Sequence, residues 1–185
     1  MDGVNYRQIF PILIQEDYKE LMVLSVILMD LFKEYLNKKD ESSWVRRALT
    51  DKSYKRCNPT LKDTEVNKDL STYGDAVIKL CYSELMLDKE KNLTEEKAKF
   101  ESDNFFVNKV ARHYEILEYL NYDKDDSKIL KDYDYTTTGK TSGNNKKKNP
   151  RKYIATAVEA MIGAIYKEIN NLKPIIKLLE SWRNF

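Results

Sequence analysis

An all-α fold is what this sequence predicts, on three observations. Apolar residues recur at spacings of three and four, with Leu70, Tyr73, Val77 and Leu80 marking one helical stripe. Five Gly and four Pro in 185 residues leave too little turn chemistry for hairpin-rich β architecture. Short polar or charged breaks, at 38–43 and 89–92, separate the apolar runs.

Taken in order, Ile9 to Ile14 is apolar around Pro11 and leads into a helix rather than forming one. Glu16 to about Asn37 carries a stripe of Leu21, Leu24, Leu28, Leu31, Phe32 and Tyr35, widened by Met22, Val23, Val26 and Ile27. Such a wide apolar arc predicts a helix that is deeply buried or partly at an interface. Residues 1–40 form an N-terminal helical extension on this reading. Ser42 or Ser43 caps a short helix over Trp44 to Tyr54, and Cys57 to Asn67 is a loop around Pro59. A helix then carries Leu70 to about Asp88. Thr94, with Glu96 or Lys97 after it, opens the next one, and helix continues through Phe105, Val110, Ile116 and Leu117 to about Leu120. Tyr122 to Asp134 is acidic and irregular. Residues 135–152 read as a mobile basic loop, rich in Thr, Gly, Asn and Lys. Tyr153 to Tyr166 is strongly apolar and helical, and Lys173 to Trp182 makes a final helix with Pro174 in its first turn.

No repeat or domain-scale linker is visible, so residues 1–185 read as a single domain. Apolar residues make up 42% and charged residues 34%, a globular composition with a charged surface. The net charge of +2 names no partner by itself, but its distribution is uneven. From Tyr135 to Val158 there is no acid, while Lys140, Lys146, Lys147, Lys148, Arg151 and Lys152 bring +6, leaving the rest of the chain near −4. Cys57 and Cys81 are too few for a disulfide framework and lack metal-ligand spacing, which fits the cytoplasm or another reducing compartment, an organelle matrix included. No signal peptide is recognised. The longest apolar run, Leu21 to Met29, is too short for a membrane span.

Two helices carry candidate chemistry. Asp75 is a lone acid in the apolar run around Gly74, and Glu159 is a lone acid in the second apolar helix, four residues before Gly163. A carboxylate on a buried body needs a cation, a metal or a donor, and two brought together repel unless one protonates or a metal joins them. Ser71 stands one turn before Asp75, and Thr156 three residues before Glu159. Asp75, Glu159, Ser71 and Thr156 therefore compose a hard-oxygen set suited to Mg²⁺, with Mn²⁺ as a substitute. The basic loop is either a solvated charge run or, beside such a site, a grip on a phosphate backbone. Gly139-Lys140-Thr141 is no P-loop: its first Gly is missing at Asp134 and no buried strand precedes it. His113, the only His, reads as a surface residue rather than a base.

Three elements resemble the ribonuclease III family. Ser71-Thr72-Tyr73-Gly74-Asp75-Ala76-Val77 is similar to the family's acid-x-x-x-Gly-Asp-Ala/Ser-Val helix, except at its first position. Arg47 to Tyr54 resembles its Ala-Leu-Thr-His-x-Ser-Tyr element, with Asp51 in place of His. Ala155 to Tyr166 resembles its second acidic helix. The resemblance covers about Trp44 to Tyr166. Of the family's four metal-site acids, Asp75 and Glu159 are matched, Ser71 and Thr156 replace the others, and Lys68 stands where a further supporting acid would be. This thinner set is similar to the short Mini-III class, which also has a basic loop leading into a Tyr and Thr segment.

The resemblance implies a helical endonuclease fold acting as a two-fold homodimer, with Gly74 and the Asp75 helix at or near the seam and no double-stranded-RNA-binding domain after it. It implies Mg²⁺-dependent hydrolysis of phosphodiester bonds in double-stranded or structured RNA, as in processing of ribosomal RNA precursors. Asp75 and Glu159 would be catalytic through the metal, with Ser71 and Thr156 contacting the ion directly or through water. Lys140, Lys146, Lys147, Lys148, Arg151, Lys152 and Lys68 would bind RNA backbone. No membrane and no nucleotide cofactor are implied. Two alternatives stand beside this reading: an inert ribonuclease III-like RNA-binding or ribosome-associated protein, and a helical dimerisation module that binds a partner through the Leu21 to Leu31 helix.

Overall fold

The computed structural model describes residues 30–87, 92–125 and 152–185. These are helical, with no strand among them beyond a lone bridge between Thr50 and Asn121. The expected helix before residue 30 and the basic loop up to residue 151 lie outside the described residues.

The longest element is α3, Lys68–Met86, preceded by α1 (Leu31–Asn37) and α2 (Ser43–Ala48). Then come α4 (Leu93–Phe100), a short α5 (Asp103–Phe105), a π-helical stretch Phe106–Ala111 and α6 (Ile116–Tyr119). The chain ends with α7 (Lys152–Ile169) and α8 (Leu172–Trp182).

The centre is α7. Ile154, Ala155, Ala157, Val158, Ala160 to Ile165 and Gly163 among them are all buried, so the helix is enclosed nearly all round. Its small residues let α3 approach closely. A Cβ built on Gly74 would lie 1.8 Å from the Glu159 carbonyl oxygen, and one on Gly163 would lie 2.6 Å from the Leu70 carbonyl oxygen. The two helices thus touch backbone to backbone at this crossing, and only glycine fits. Gly74, expected at or near a seam between copies, packs against α7 inside the protomer.

The face of α3 turned inward also differs from the stripe read off the sequence. Leu70, Ser71, Gly74, Val77, Ile78 and Cys81 are buried, Tyr73 is half-buried, and Leu80 is 47% exposed. At about 100° per residue the buried arc centres near Gly74 and Cys81, which leaves Leu80 on the far side.

Several boundaries follow from caps. Ser42 accepts from the Val45 amide at 3.1 Å and opens α2, as expected. The single helix expected over 44–54 is two elements, because Asp51 accepts from the Ser53 amide at 2.8 Å and starts a 3-10 turn at Lys52–Arg56. Asn92, not Thr94, caps α4. The helix expected from Lys97 to Leu120 is interrupted, since Ser102 caps a new start at Asp103 and Glu115 takes a left-handed φ of 52°. Asn171 caps α8, and Pro174 sits in its first turn. The far end of the core is pinned by Trp182, whose Nε1 donates to the Tyr114 hydroxyl at 3.2 Å; that hydroxyl donates to Asp30, the cap of α1, at 3.0 Å.

Candidate metal centre

The α3–α7 crossing sets the positions of both acids. Asp75 follows Gly74 directly, while Glu159 is the residue whose backbone Gly74 touches. Both side chains leave the crossing at the rim of the buried arc, so they are half-buried. Burial, the Asp75 charge and the charge of Asp103, in that order of weight, push the Glu159 carboxyl up to about 7, against the pull of Lys152 and Lys79. The two acids almost ninety positions apart in the sequence therefore share one electrostatic site.

Asp75 has a partner. Its Oδ2 accepts from Lys79 Nζ at 2.6 Å, one turn on along α3. This bond, reinforced by the charges of Asp75, Glu101 and Glu159, raises the Lys79 ammonium above its ordinary range. No hydrogen bond or ion pair reaches the Glu159 carboxylate among the described residues.

The hydroxyls are close in sequence and differ in setting. Ser71 is buried and donates to the Lys68 carbonyl at 2.8 Å. Thr156 is half-buried and donates to the Lys152 carbonyl at 2.5 Å. Both protons are thus committed to helix backbone, which leaves each oxygen an acceptor toward a cation or a water.

Asp103 belongs to this region and was not singled out from the sequence. It stands in the first turn of α5, which Ser102 caps by accepting from Phe105 N at 3.2 Å. A Ser-Asp start before Phe105 and Phe106 was the available signal, since acids favour a helix start. That signal says nothing of Glu159, which only packing brings near.

Lys68 and Lys152 are exposed at the first residues of α3 and α7. Lys140, Lys146, Lys147, Lys148 and Arg151 lie outside the described residues. His113 is exposed and stacks on Phe185 with ring centroids 4.3 Å apart, which is a packing role. An open cleft of about 640 Å³ beside Lys39, Tyr54, Asn121 and Tyr122 contains none of these acids.

The donor set suits a hard divalent cation. Mg²⁺ is held by one or two carboxylates and keeps several waters, and a cation between Asp75 and Glu159 would relieve the repulsion that raises the Glu159 carboxyl. No group of three or more His, Cys, Asp or Glu is gathered tightly enough to hold an ion among the described residues. Asp103 is accordingly a neighbour in charge rather than a third ligand. No described helix is long and apolar enough to cross a membrane.

A family model for the Ribonuclease III domain matches residues 68–169, more than half of the chain and the segment that holds both acids. No curated protein and no solved structure matches.

Proposed function

The chain belongs to the ribonuclease III domain family, and from that premise we propose that it is a Mg²⁺-dependent endoribonuclease that hydrolyses phosphodiester bonds in double-stranded or structured RNA. The observation that carries this reading is the half-buried acid pair: Glu159 is held near neutrality by burial and by Asp75, on the two helices that the family match spans.

Asp75 and Glu159 would hold the ion, with Ser71 and Thr156 as neutral oxygens beside it. A bound divalent ion supplies Lewis-acid activation for phosphodiester hydrolysis. The chain's own contribution is to fix the two carboxylates on helices locked together by Gly74 and Gly163, and to keep Glu159 partly out of water. Lys68 and Lys152 extend from the same helices, and with Lys140, Lys146, Lys147, Lys148 and Arg151 they would contact RNA phosphates. Duplex RNA would be read by shape.

The outer face of α3 supports a two-fold homodimer. Thr72, Ala76, Leu80 and Leu87 are exposed along it, with Leu87 61% exposed, and small and apolar residues in a row suit the same face of a second copy. The thin acid set favours the Mini-III class, and with it a role in ribosomal RNA processing in a reducing compartment.

A second reading, an inert RNA-binding protein, is favoured by the hydroxyls at Ser71 and Thr156 and by the ammonium that already neutralises Asp75. One experiment separates the two. Pure protein is incubated with long duplex RNA in Mg²⁺ and in EDTA. Defined cleavage products in Mg²⁺ and none in EDTA are expected; RNA that is bound and left intact in Mg²⁺ would establish the second reading.

A further inference from the structure

Lys79 has no place in the hydrolysis just described, yet it is paired with one of the two acids. Its ammonium lies 2.6 Å from Asp75 Oδ2, and its side chain is 53% exposed, so the head can leave without unpacking the helix. The charges of Glu101 and Glu159 also act on it.

Glu101 is an incomplete partner. Its side chain is only 14% exposed, and its Oε1 is buried with no hydrogen bond. The Lys97 ammonium is 3.2 Å away but is directed at Ser83 Oγ, at 2.9 Å, and at the Lys79 carbonyl, at 3.2 Å. Glu101 is thus ion-paired to Lys97, but its buried Oε1 still lacks a hydrogen bond that a second ammonium could supply.

We infer that Lys79 is the resident counter-cation of Asp75: a divalent ion competes with it there, and Glu101 is the acid toward which the released ammonium turns. This inference rests on the reading of Asp75 and Glu159 as ion ligands. It makes Lys79 a positioning residue that sets how readily the ion loads. The physical ground is simple. Lys79 engages one oxygen of Asp75, and a second cation brought onto the same half-buried carboxylate is repelled by it more strongly than it would be in water.

The test measures Mn²⁺ binding to the whole chain without RNA, by electron paramagnetic resonance and calorimetry. Lys79→Met is expected to bind Mn²⁺ about tenfold or more tightly than wild type. Lys79→Arg keeps the charge and is expected to leave affinity unchanged. Glu101→Gln removes the second seat and is expected to weaken binding several-fold. Lys33→Met, a charge removed outside the site, controls for net charge and is expected to change affinity by less than about twofold. Equal affinity in wild type and Lys79→Met, with binding still abolished in Asp75→Asn, would overturn the role of Lys79 alone. Binding that survives Asp75→Asn and Glu159→Gln would overturn the acid-pair reading itself. Melting curves verify folding, since loss of one exposed ion pair costs little.

Discussion

Among the described residues, the Asp51 and Asp123 region and the α3–α7 crossing both hold carboxylates away from water, and they treat them differently. Asp51 is 2% exposed and Asp123 is 7% exposed, yet both are supplied with donors. Asp51 accepts from the Ser53 amide at 2.8 Å. Asp123 accepts from the Asp125 amide at 3.0 Å and pairs with Arg56 Nε at 3.0 Å. The acids at the α3–α7 crossing are less buried: Asp75 has one lysine, and Glu159 has no hydrogen bond among the described residues, only the fields of Asp75 and Asp103 set against those of Lys152 and Lys79. Depth of burial therefore does not mark a functional acid here. The sharper contrast is between Asp123 and Glu159: the first is stabilised by an amide and a guanidinium, whereas no hydrogen bond reaches the second among the described residues.

The largest expected effect is on cleavage. Asp75→Asn removes half of the anionic pair and is expected to lower the rate on duplex RNA by about a thousandfold or more, roughly 4 kcal/mol in the barrier. Folding and RNA binding should persist, as measured by circular dichroism and gel shift. Asp123→Asn in the donor-rich region should leave the rate nearly intact. If the two variants lost activity alike, the distinction between the regions would collapse. Next in size is Gly74→Ala. Its new methyl would meet a backbone carbonyl at 1.8 Å, which no side-chain movement relieves. A loss of about 3 kcal/mol or more is expected in urea unfolding, with cleavage lost as the acids are pushed apart.

How much of this was legible before the structure depends on the range of the interaction concerned. The α3 and α7 helices, both acids and both glycines stand out in the sequence, since each is one departure within a periodic apolar run. The inward angle of α3 does not: Leu80 fits the three-and-four spacing as well as Leu70, and only the close approach of α7 at Gly74 decides which side turns in. Asp103 is invisible as a site member for the same reason, since its relation to Glu159 depends on where α5 packs. Lys79 is not: it stands four residues after Asp75 on the same helix, a spacing that pairs the two. The interruptions between Phe100 and Ile116 have no clear sequence mark, because Ser102 reads equally well as a helix-interior residue and the left-handed Glu115 has no local signal.

A smaller effect tests Glu159 by pH. Its folded carboxyl titrates about 7, above its ordinary 4.5, so the folded state holds a proton that the unfolded chain has lost between those values. Stability must then fall as pH rises from about 4.5 through 7 and level off above. Glu159→Gln lacks this loss. At pH 8 without divalent ions it is expected to be more stable than wild type by about 2 kcal/mol, less than the full shift would give because the carboxylate is only half-buried. Below pH 4.5 the two should melt together. Added Mg²⁺ should restore wild type at pH 8 and leave the variant where it was. A variant no more stable than wild type at pH 8 would mean that Glu159 is as well supplied as Asp51.

The smallest effect comes from Asp51 itself, the most deeply buried of these acids, which has one amide donor. Asp51 stands where the family resemblance has His, and its carboxylate serves the 3-10 turn at Lys52–Arg56. Asn at this position keeps one carbonyl oxygen for the Ser53 amide, so Asp51→Asn should cost under about 1 kcal/mol, whereas Asp51→Ala, which leaves that amide unanswered, should cost about 1–2 kcal/mol. Neither should alter Mn²⁺ affinity. The ordering matters more than the sizes: if Asn were as damaging as Ala, the negative charge rather than the acceptor would be needed at Asp51, and the charge on a buried carboxylate would have a function on both sides of the molecule.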